Sequence, residues 1–179
     1  MSAKIVSKKT LLRSELFKVN RVNLILNDGK KRIHDVVERV PTVCVFPLEN
    51  NGDIYLIYQY RYSFGKRIIE AVSGHVERGE KPLETAKREL MEEAGIFAKF
   101  WKKLAILELS SSVIMSKSHL FLVKDLSFGR ARPVSGEEIE LIKMPLEEAV
   151  RKVINGEIFH ASTANGIMLL HILNWQKKL

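Results

Sequence analysis

The chain has 179 residues, of which 29 are Lys or Arg and 21 are Asp or Glu, and its formal net charge is +8. This length suits one domain. No apolar run approaches the roughly 18 residues that a membrane helix needs, so we do not expect a membrane protein. The positive charge favours an anionic partner and leaves nucleic acid, a membrane surface and a phosphorylated metabolite open.

Two features of the sequence bear on localisation. The N-terminal segment has no continuous apolar stretch followed by a small-residue cleavage site, so we expect no secretion signal. Cys44 is the single cysteine, lies in the apolar run "PTVCVFPL" and has no disulfide partner. A cytoplasmic protein with a buried, unreactive thiol is therefore predicted.

Antiparallel strands are predicted for the first forty residues. Residues 15–27, "ELFKVNRVNLILN", alternate apolar and polar side chains, and "NDGK" is a hairpin turn signal. A second hairpin is predicted where "TVCVFPL" and "IYLIYQYRY" are separated by "ENNGD".

A helix is predicted from Pro82 to Ala94. Proline stands at an early helical position, "LETAKRELMEEA" contains good helix formers, and Gly95 is placed to end the helix. The apolar stripe is expected to consist of Leu83, Ala86, Leu90 and Ala94.

Further strands and two more helices follow. Strand patterns occur in "KLAILELS", "HLFLVKDL" and "IELIKM", with a Ser-rich loop between the first two. Helices are expected at residues 145–154, ending before Gly156, and at residues 161–176. The order predicts one α+β domain over residues 1–179, with N-terminal strands at 1–40 and a core at 41–179 in which a mixed sheet lies between helices.

The predicted first helix concentrates carboxylates on one face. Glu89, Glu92 and Glu93 are separated by three and four residues, so their side chains project together and repel one another. A solvated acidic face is the simpler explanation. The alternative is a divalent cation. Carboxylates without nearby Cys, and without His at ligand spacing on the helix, suit Mg²⁺ or Mn²⁺.

Residues around the acidic face support the cation hypothesis. Arg88 can hold a carboxylate by a charge-assisted hydrogen bond. Gly74 and Gly79 flank the preceding loop and allow a close backbone approach, and Glu80 can join the acidic site. The five histidines share no spacing, so we expect them at the surface or in packing.

This segment resembles the Nudix box. Gly74 is followed after five residues by Glu80, and after seven more by "RELMEEAGI" at residues 88–96, which fills every defining position. The resemblance implies a sheet between helices and Mg²⁺-dependent hydrolysis of a nucleoside diphosphate linked to another moiety, with Mn²⁺ as a substitute. It also implies that Glu89 and Glu93 are the principal metal ligands, assisted by Glu92 and Glu80, and that Arg88 and Glu92 belong to the catalytic site.

The stretch "YLIYQYRYSFGKRIIEAVSGHVERGE" resembles the matching region of ADP-ribose and ADP-sugar pyrophosphatases. In that subgroup a Gln-x-Arg element ends a strand and a glutamate precedes the box, and Gln59, Arg61 and Glu70 occupy those places. The match implies that the Ser73 carbonyl is a metal ligand. It also implies that Arg61 and Arg67 bind the diphosphate or the terminal ribose phosphate.

The subgroup commonly carries a further catalytic glutamate in a later loop. Glu137 is the first choice, Glu138 the second and Glu140 the third. The residue would bind an extra metal ion or accept a proton from the attacking water. The alternative is that "GEEIE" is only a charged strand edge.

Two departures from the subgroup leave its substrate preference open. Ser111 stands where ADP-ribose pyrophosphatases usually have proline, and Ser116 stands where an acidic residue is expected. Dinucleoside polyphosphate hydrolases tend to have a tyrosine in this region, whereas this chain has Val113 nearby.

The leading hypothesis is hydrolysis of ADP-ribose to AMP and ribose 5-phosphate by a homodimer whose N-terminal strands contribute to the partner's site, as the resemblance implies. The same box serves nucleoside triphosphate hydrolases and RNA-decapping enzymes, which are the second hypothesis. The third is a noncatalytic nucleotide or RNA-binding protein, which the positive charge permits but the intact glutamates disfavour, so a nucleic-acid partner is not the main expectation.

Overall fold

The computed structural model describes residues 3–110, 112–133 and 138–176. Its contacts define two units, one formed by Met1–Pro41 with Glu108–Lys117 and the other by Thr42–Leu107 with Ser118–Leu179. That the whole chain acts as one domain stays a prediction.

The described residues form eleven strands and three helices. In chain order they are β1 (Ala3–Arg13), β2 (Phe17–Leu26), β3 (Lys31–Arg39), β4 (Thr42–Pro47), β5 (Asp53–Arg61), β6 (Lys66–Glu70), β7 (Val72–His75), α1 (Pro82–Ala94), β8 (Ile96–Glu108), β9 (Ile114–Met115), β10 (Lys117–Phe128), β11 (Ile139–Pro145), α2 (Leu146–Ile154) and α3 (Ala161–Trp175).

The first unit is built on a four-stranded sheet in the order β1-β2-β3-β9. The turn between β2 and β3 contains Gly29 at φ +77°, and the pairing of Ile25 with Lys31 closes the predicted hairpin. The short β9 lies inside the segment predicted as a Ser-rich loop and pairs in parallel with β3. A strand of two residues is too short to show an alternating pattern, so the sequence gives no signal for it.

The second unit contains a mixed sheet in the order β7-β4-β10-β8, with β10 parallel and β7 antiparallel to β4. Side chains alternate across β4, so that Val43 and Val45 pack with Ala86 and Leu90 of α1 in one buried cluster. Phe46 lies in the other buried cluster, to which α2 and α3 contribute. The predicted α+β fold with a mixed sheet between helices is confirmed.

The face of β4 toward α3 is closely packed. A methyl group on Gly166 would overlap the fully buried ring of Phe46. Cys44 lies on the same face as a buried free thiol, as predicted, and burial raises its pKa to about 12. A thiol with so high a pKa is a packing group, because the reactive form is the thiolate.

The predicted hairpin between β4 and β5 is wrong. A turn is present, and Leu48 forms an isolated bridge with Ile54, but the two strands then enter different sheets. β4 pairs with β7 on one edge and with β10 on the other, so it has no free edge for β5. β5 instead lies between β11 and β6 in an antiparallel sheet.

The helices begin and end close to the predicted positions. Gly95 follows α1 in the left-handed conformation at φ +64°, and Gly156 follows α2 at φ +77°. The assignment of Leu83 to the apolar stripe of α1 is wrong, because Leu83 is 39% exposed and Thr85 is buried instead. Within the described ranges, none of the helices has both the length and the apolarity that a bilayer crossing requires.

Candidate active site

Arg88 lies at the centre of an acidic cluster on α1 and the loop before it. Its Nη1 donates to Oε1 of Glu89 at 2.8 Å and to Oε2 of Glu92 at 3.0 Å. Its Nε and Nη2 donate to the two oxygens of Glu80 at 3.0 and 3.2 Å. One guanidinium therefore holds three of the carboxylates singled out from the sequence. We call Arg88, Glu80, Glu89 and Glu92 the Arg88 cluster.

Glu80 is the most tightly held member of the Arg88 cluster. Besides Arg88, the Thr85 hydroxyl donates to it at 2.7 Å, and the backbone N–H of Glu77 donates at 3.3 Å. The hydrogen bonds from Arg88 outweigh the effect of burial and lower the pKa of Glu80 to about 2. Glu80 therefore keeps its negative charge throughout the physiological range.

Strand β7 brings its backbone to the same carboxylates. The N–H of Ser73 donates to Oε2 of Glu93 at 3.0 Å. A strand residue directs its N–H and C=O to the same side, so the Ser73 carbonyl also faces the side on which Glu93 lies. A methyl group on Gly74 would overlap Oε1 of Glu89, so only glycine leaves room for this carboxylate.

The donor set of this region fits a hard divalent cation. It consists of carboxylate oxygens on α1 and the Ser73 carbonyl on β7, which are the oxygen donors that Mg²⁺ and Mn²⁺ accept. Across residues 3–110, 112–133 and 138–176, however, no three His, Cys, Asp or Glu side chains already have the spacing of a metal shell. Arg88 instead binds oxygens of Glu80, Glu89 and Glu92. The metal-ligand roles therefore stay a prediction.

A second group of predicted residues meets where β5 and β6 pair. Glu70 is 3% exposed, and its Oε2 accepts from Nε of Arg61 at 2.6 Å and from Nε2 of Gln59 at 3.2 Å. Gln59 is also buried, whereas the Arg61 side chain is 36% exposed. We call these three residues the Glu70 cluster, in which one buried carboxylate holds an arginine that reaches solvent.

His160 lies against the Glu70 cluster, and sequence reasoning did not identify this contact. Its Nδ1 lies 3.4 Å from Oε1 of Glu70 and 2.9 Å from Oγ1 of Thr163. Burial lowers the pKa of His160, Arg61 acts in the same direction, and Glu70 opposes them. His160 and Glu70 are 90 positions apart in the chain, so no local pattern could have connected them.

Arg67 is not brought together with Arg61. In the register of β6 and β5, Arg67 pairs with Tyr60, which is adjacent in the chain to Arg61. Successive side chains of a strand point to opposite faces, so the Arg67 side chain lies on the face opposite to that of Arg61. Its Nη2 donates to the Tyr58 carbonyl at 2.8 Å. These contacts give Arg67 an intramolecular partner and leave its predicted substrate role untested.

Two of the predicted distal glutamates, Glu138 and Glu140, lie at the start of β11, at the end of the sheet that carries the Glu70 cluster. Ile139 pairs with Gln59, so Glu138, just before it, lies near the end of β5. Glu140 is exposed, and its Oε2 lies 3.4 Å from Nη2 of Arg67. Glu137 and Ser111 lie outside the described residues.

A family model and several known proteins match this chain. Residues 38–163 match the family model described as the NUDIX domain. The chain is 30% identical to the ADP-ribose pyrophosphatase of Mycobacterium tuberculosis over 93% of its length and 82% of the relative's. It is also 30% identical to the ADP-ribose pyrophosphatase of Bacillus subtilis over 94% of this chain and 95% of that one.

A solved structure supports the fold independently. A protein titled ADP compounds hydrolase superposes with a TM-score of 0.86 over 100% of this chain and 98% of its own, at 23% identity. The fold, the glutamates of α1 and the family match over residues 38–163 lead to one conclusion. The chain belongs to the Nudix hydrolase family.

Proposed function

We propose that this protein hydrolyses the pyrophosphate bond of ADP-ribose and releases AMP and ribose 5-phosphate. The observation that carries the proposal is the meeting of the α1 carboxylates Glu89 and Glu93 with the backbone of Ser73 and Gly74. The likeness to two ADP-ribose pyrophosphatases over more than nine-tenths of this chain supports the choice of substrate.

Nudix hydrolases need divalent metal ions, and we assign Mg²⁺ here, with Mn²⁺ as a substitute. Glu89, Glu93 and the Ser73 carbonyl would be the main ligands, with Glu92, Glu80 and Glu137 assisting. When bound, divalent ions would neutralise the phosphate oxygens and lower the pKa of the attacking water. Arg88 orients Glu89 and Glu92 through the hydrogen bonds that it donates to both.

The Glu70 cluster is proposed to bind the anionic substrate. Nε of Arg61 is held by Glu70, and a guanidinium has further N–H donors that match phosphate oxygens. Arg67 is a weaker candidate for substrate binding, because its side chain lies on the other face of the β5–β6 pair. Glu137, or Glu138 in second place and Glu140 in third, would accept the proton from the attacking water.

We also propose a cytoplasmic homodimer. The first unit exposes large apolar side chains that a partner subunit would cover, and Ile5 and Ile33, for example, are 60% and 65% exposed. Sedimentation velocity measures the mass directly. A single 20.5 kDa species at micromolar concentration would contradict the dimer.

A substrate panel with a matched pair of variants tests the reaction. The wild type, Glu93→Gln and Glu84→Gln are incubated in Mg²⁺ with ADP-ribose, other nucleotide sugars, nucleoside triphosphates and capped RNA, and products are identified by mass. Glu84 is the acidic residue of α1 that the proposal leaves out of the metal site. Its carboxylate accepts from the backbone N–H of Lys81 at the start of the helix, a role that glutamine can also fill. The two variants therefore make the same chemical change on one helix.

We expect AMP and ribose 5-phosphate from ADP-ribose, at a rate lowered about a thousandfold in Glu93→Gln and unchanged in Glu84→Gln. EDTA should abolish the activity, and Mg²⁺ should restore it. Turnover of triphosphates or caps in place of nucleotide sugars would overturn the substrate assignment, and RNA affinity without any turnover would favour a binding protein.

A further inference from the structure

The two oxygens of Glu70 have different partners. Oε2 accepts from Arg61 and Gln59, whereas Oε1 lies 3.4 Å from Nδ1 of His160. In the part of the chain that the structure describes, no other hydrogen-bond donor is found at Oε1. Because Glu70 is 3% exposed, water has little access to this oxygen, and His160 is the group placed to satisfy it.

Two oxygens near Nδ1 of His160 favour one of the two ring tautomers. The backbone N–H of Ala71 donates to Oγ1 of Thr163 at 3.0 Å, and the same Oγ1 lies 2.9 Å from Nδ1. With Nε2 protonated, Nδ1 would accept from the Thr163 hydroxyl but would also face Oε1 of Glu70 with its lone pair. With Nδ1 protonated, both nearby oxygens act as acceptors, so this tautomer fits the site better. Burial lowers the pKa of His160 and so favours the neutral ring.

Arg61 is the residue whose orientation depends on the position of the Glu70 carboxylate. Its Nε is bound to Glu70 at 2.6 Å, and among the described residues neither Nη atom makes a hydrogen bond. Since the guanidinium is planar, fixing Nε against a buried carboxylate also fixes the direction of the two Nη groups. The side chain is 36% exposed, so these donors can reach a bound anion.

We propose that His160 is a positioning residue for substrate binding: by holding Oε1 of Glu70 it fixes the carboxylate that orients the Arg61 guanidinium toward the diphosphate or the terminal ribose phosphate. The proposal rests on the proposed function, in which Arg61 binds those groups. His160 does not touch substrate itself, and it links the start of α3 to the paired ends of β5 and β6.

Two amide variants separate positioning from packing. In His160→Asn the side-chain amide takes the place of Nδ1, whereas in His160→Gln it takes the place of Nε2. We expect KM for ADP-ribose to rise about tenfold in His160→Gln, with kcat within about twofold, and to stay within about threefold of the wild type in His160→Asn. A residue that only fills space would not rank the two amides in this order.

A double-variant cycle tests whether the effect passes through Arg61. Arg61→Lys removes Nε, so adding His160→Gln to it should change KM by less than about twofold. Equal KM values in the two amide variants, or a full tenfold effect of His160→Gln in the Arg61→Lys background, would overturn the proposal.

A measurement without turnover keeps the inference separate from the proposed function. In the wild type, ¹⁵N chemical shifts should show His160 protonated at Nδ1, and the Nε–H signal of Arg61 should be sharp and should move in His160→Gln. Absence of hydrolysis with these signals present would refute the proposed function and leave the positioning arrangement intact. A proton on Nε2 alone would refute the arrangement whatever the activity.

Discussion

The Arg88 cluster and the Glu70 cluster both pair arginine with carboxylate, but in different proportions. In the first, one arginine faces the carboxylates of Glu80, Glu89 and Glu92. In the second, one arginine faces a single carboxylate, Glu70, which is further held by an amide and an imidazole. The first has unbalanced negative charge, whereas the second is electrically balanced.

Burial follows the same division. The side chains of Glu89 and Glu92 are 14% and 28% exposed, and that of Glu70 is 5% exposed. Excess carboxylates near solvent attract a further cation, and a balanced, enclosed pair holds one geometry. The comparison indicates that the Arg88 cluster is built to bind an ion and the Glu70 cluster to orient a side chain.

Among the variants that test this comparison, the largest expected effect comes from the glycine that makes room for the Arg88 cluster. Gly74 is not in the left-handed region, so alanine fits its backbone, but the added methyl group would displace the flexible side chain of Glu89. We expect Gly74→Ala to lower kcat/KM for ADP-ribose about a hundredfold, since small displacements in a site cost that much. Initial rates and a thermal melt on the same sample measure both properties.

Gly166→Ala is the matched control. Its methyl group would overlap the buried ring of Phe46, which cannot move aside as Glu89 can. We expect it to lower the free energy of unfolding by about 1–3 kcal/mol while leaving the activity of the folded protein unchanged. If Gly74→Ala loses stability and keeps its activity, the placement of Glu89 in the site is wrong.

Replacing the arginine of each cluster in turn should lower the free energy of unfolding by different amounts. Arg61→Met leaves the buried Glu70 without its cation, and we expect the free energy of unfolding to fall by about 2 kcal/mol. This is less than for a fully enclosed ion pair, because the Arg61 side chain is 36% exposed. Arg88→Met leaves three carboxylates that are closer to solvent than Glu70, and we expect the free energy of unfolding to fall by a smaller amount, about 1 kcal/mol. Urea unfolding curves at pH 7 measure both, and the reverse order would contradict the comparison.

The smallest effect concerns acid titration of the Arg88 cluster. The folded-state pKa of Glu80 is lowered from 4.5 to about 2, so its contribution to stability is present at neutral pH and is lost as pH falls between these values. In Arg88→Met that pKa should rise toward 4.5, and this acid dependence should weaken. A carboxyl ¹³C titration of Glu80 gives the pKa directly, and an unchanged value in the variant would exclude Arg88 as its cause.

Local spacing was sufficient to predict much of the candidate site. Glu89, Glu92 and Glu93 lie on one helix, whose period of 3.6 residues fixes which side chains share a face. Pro82 and Gly95 mark its ends by backbone chemistry that acts within a few residues. The order of strands and helices predicted the α+β class, and the Nudix box implied the same sheet between helices. Gln59, Arg61 and Glu70 were found by resemblance rather than by any physical rule.

Contacts between distant parts of the chain were decided only by the tertiary structure. Turn residues predicted that β4 and β5 would pair, but both edges of β4 were taken by β7 and β10. Strand register placed Arg67 on the face away from Arg61.

The sequence by itself determined that this protein carries an acidic helix with the Nudix spacing, because helical geometry makes neighbours of residues three and four positions apart. Folding alone decided that His160 meets Glu70 and that Gly74 makes room for Glu89. These pairs are set by how strands and helices pack across the core, and chain separation carries no information about that packing.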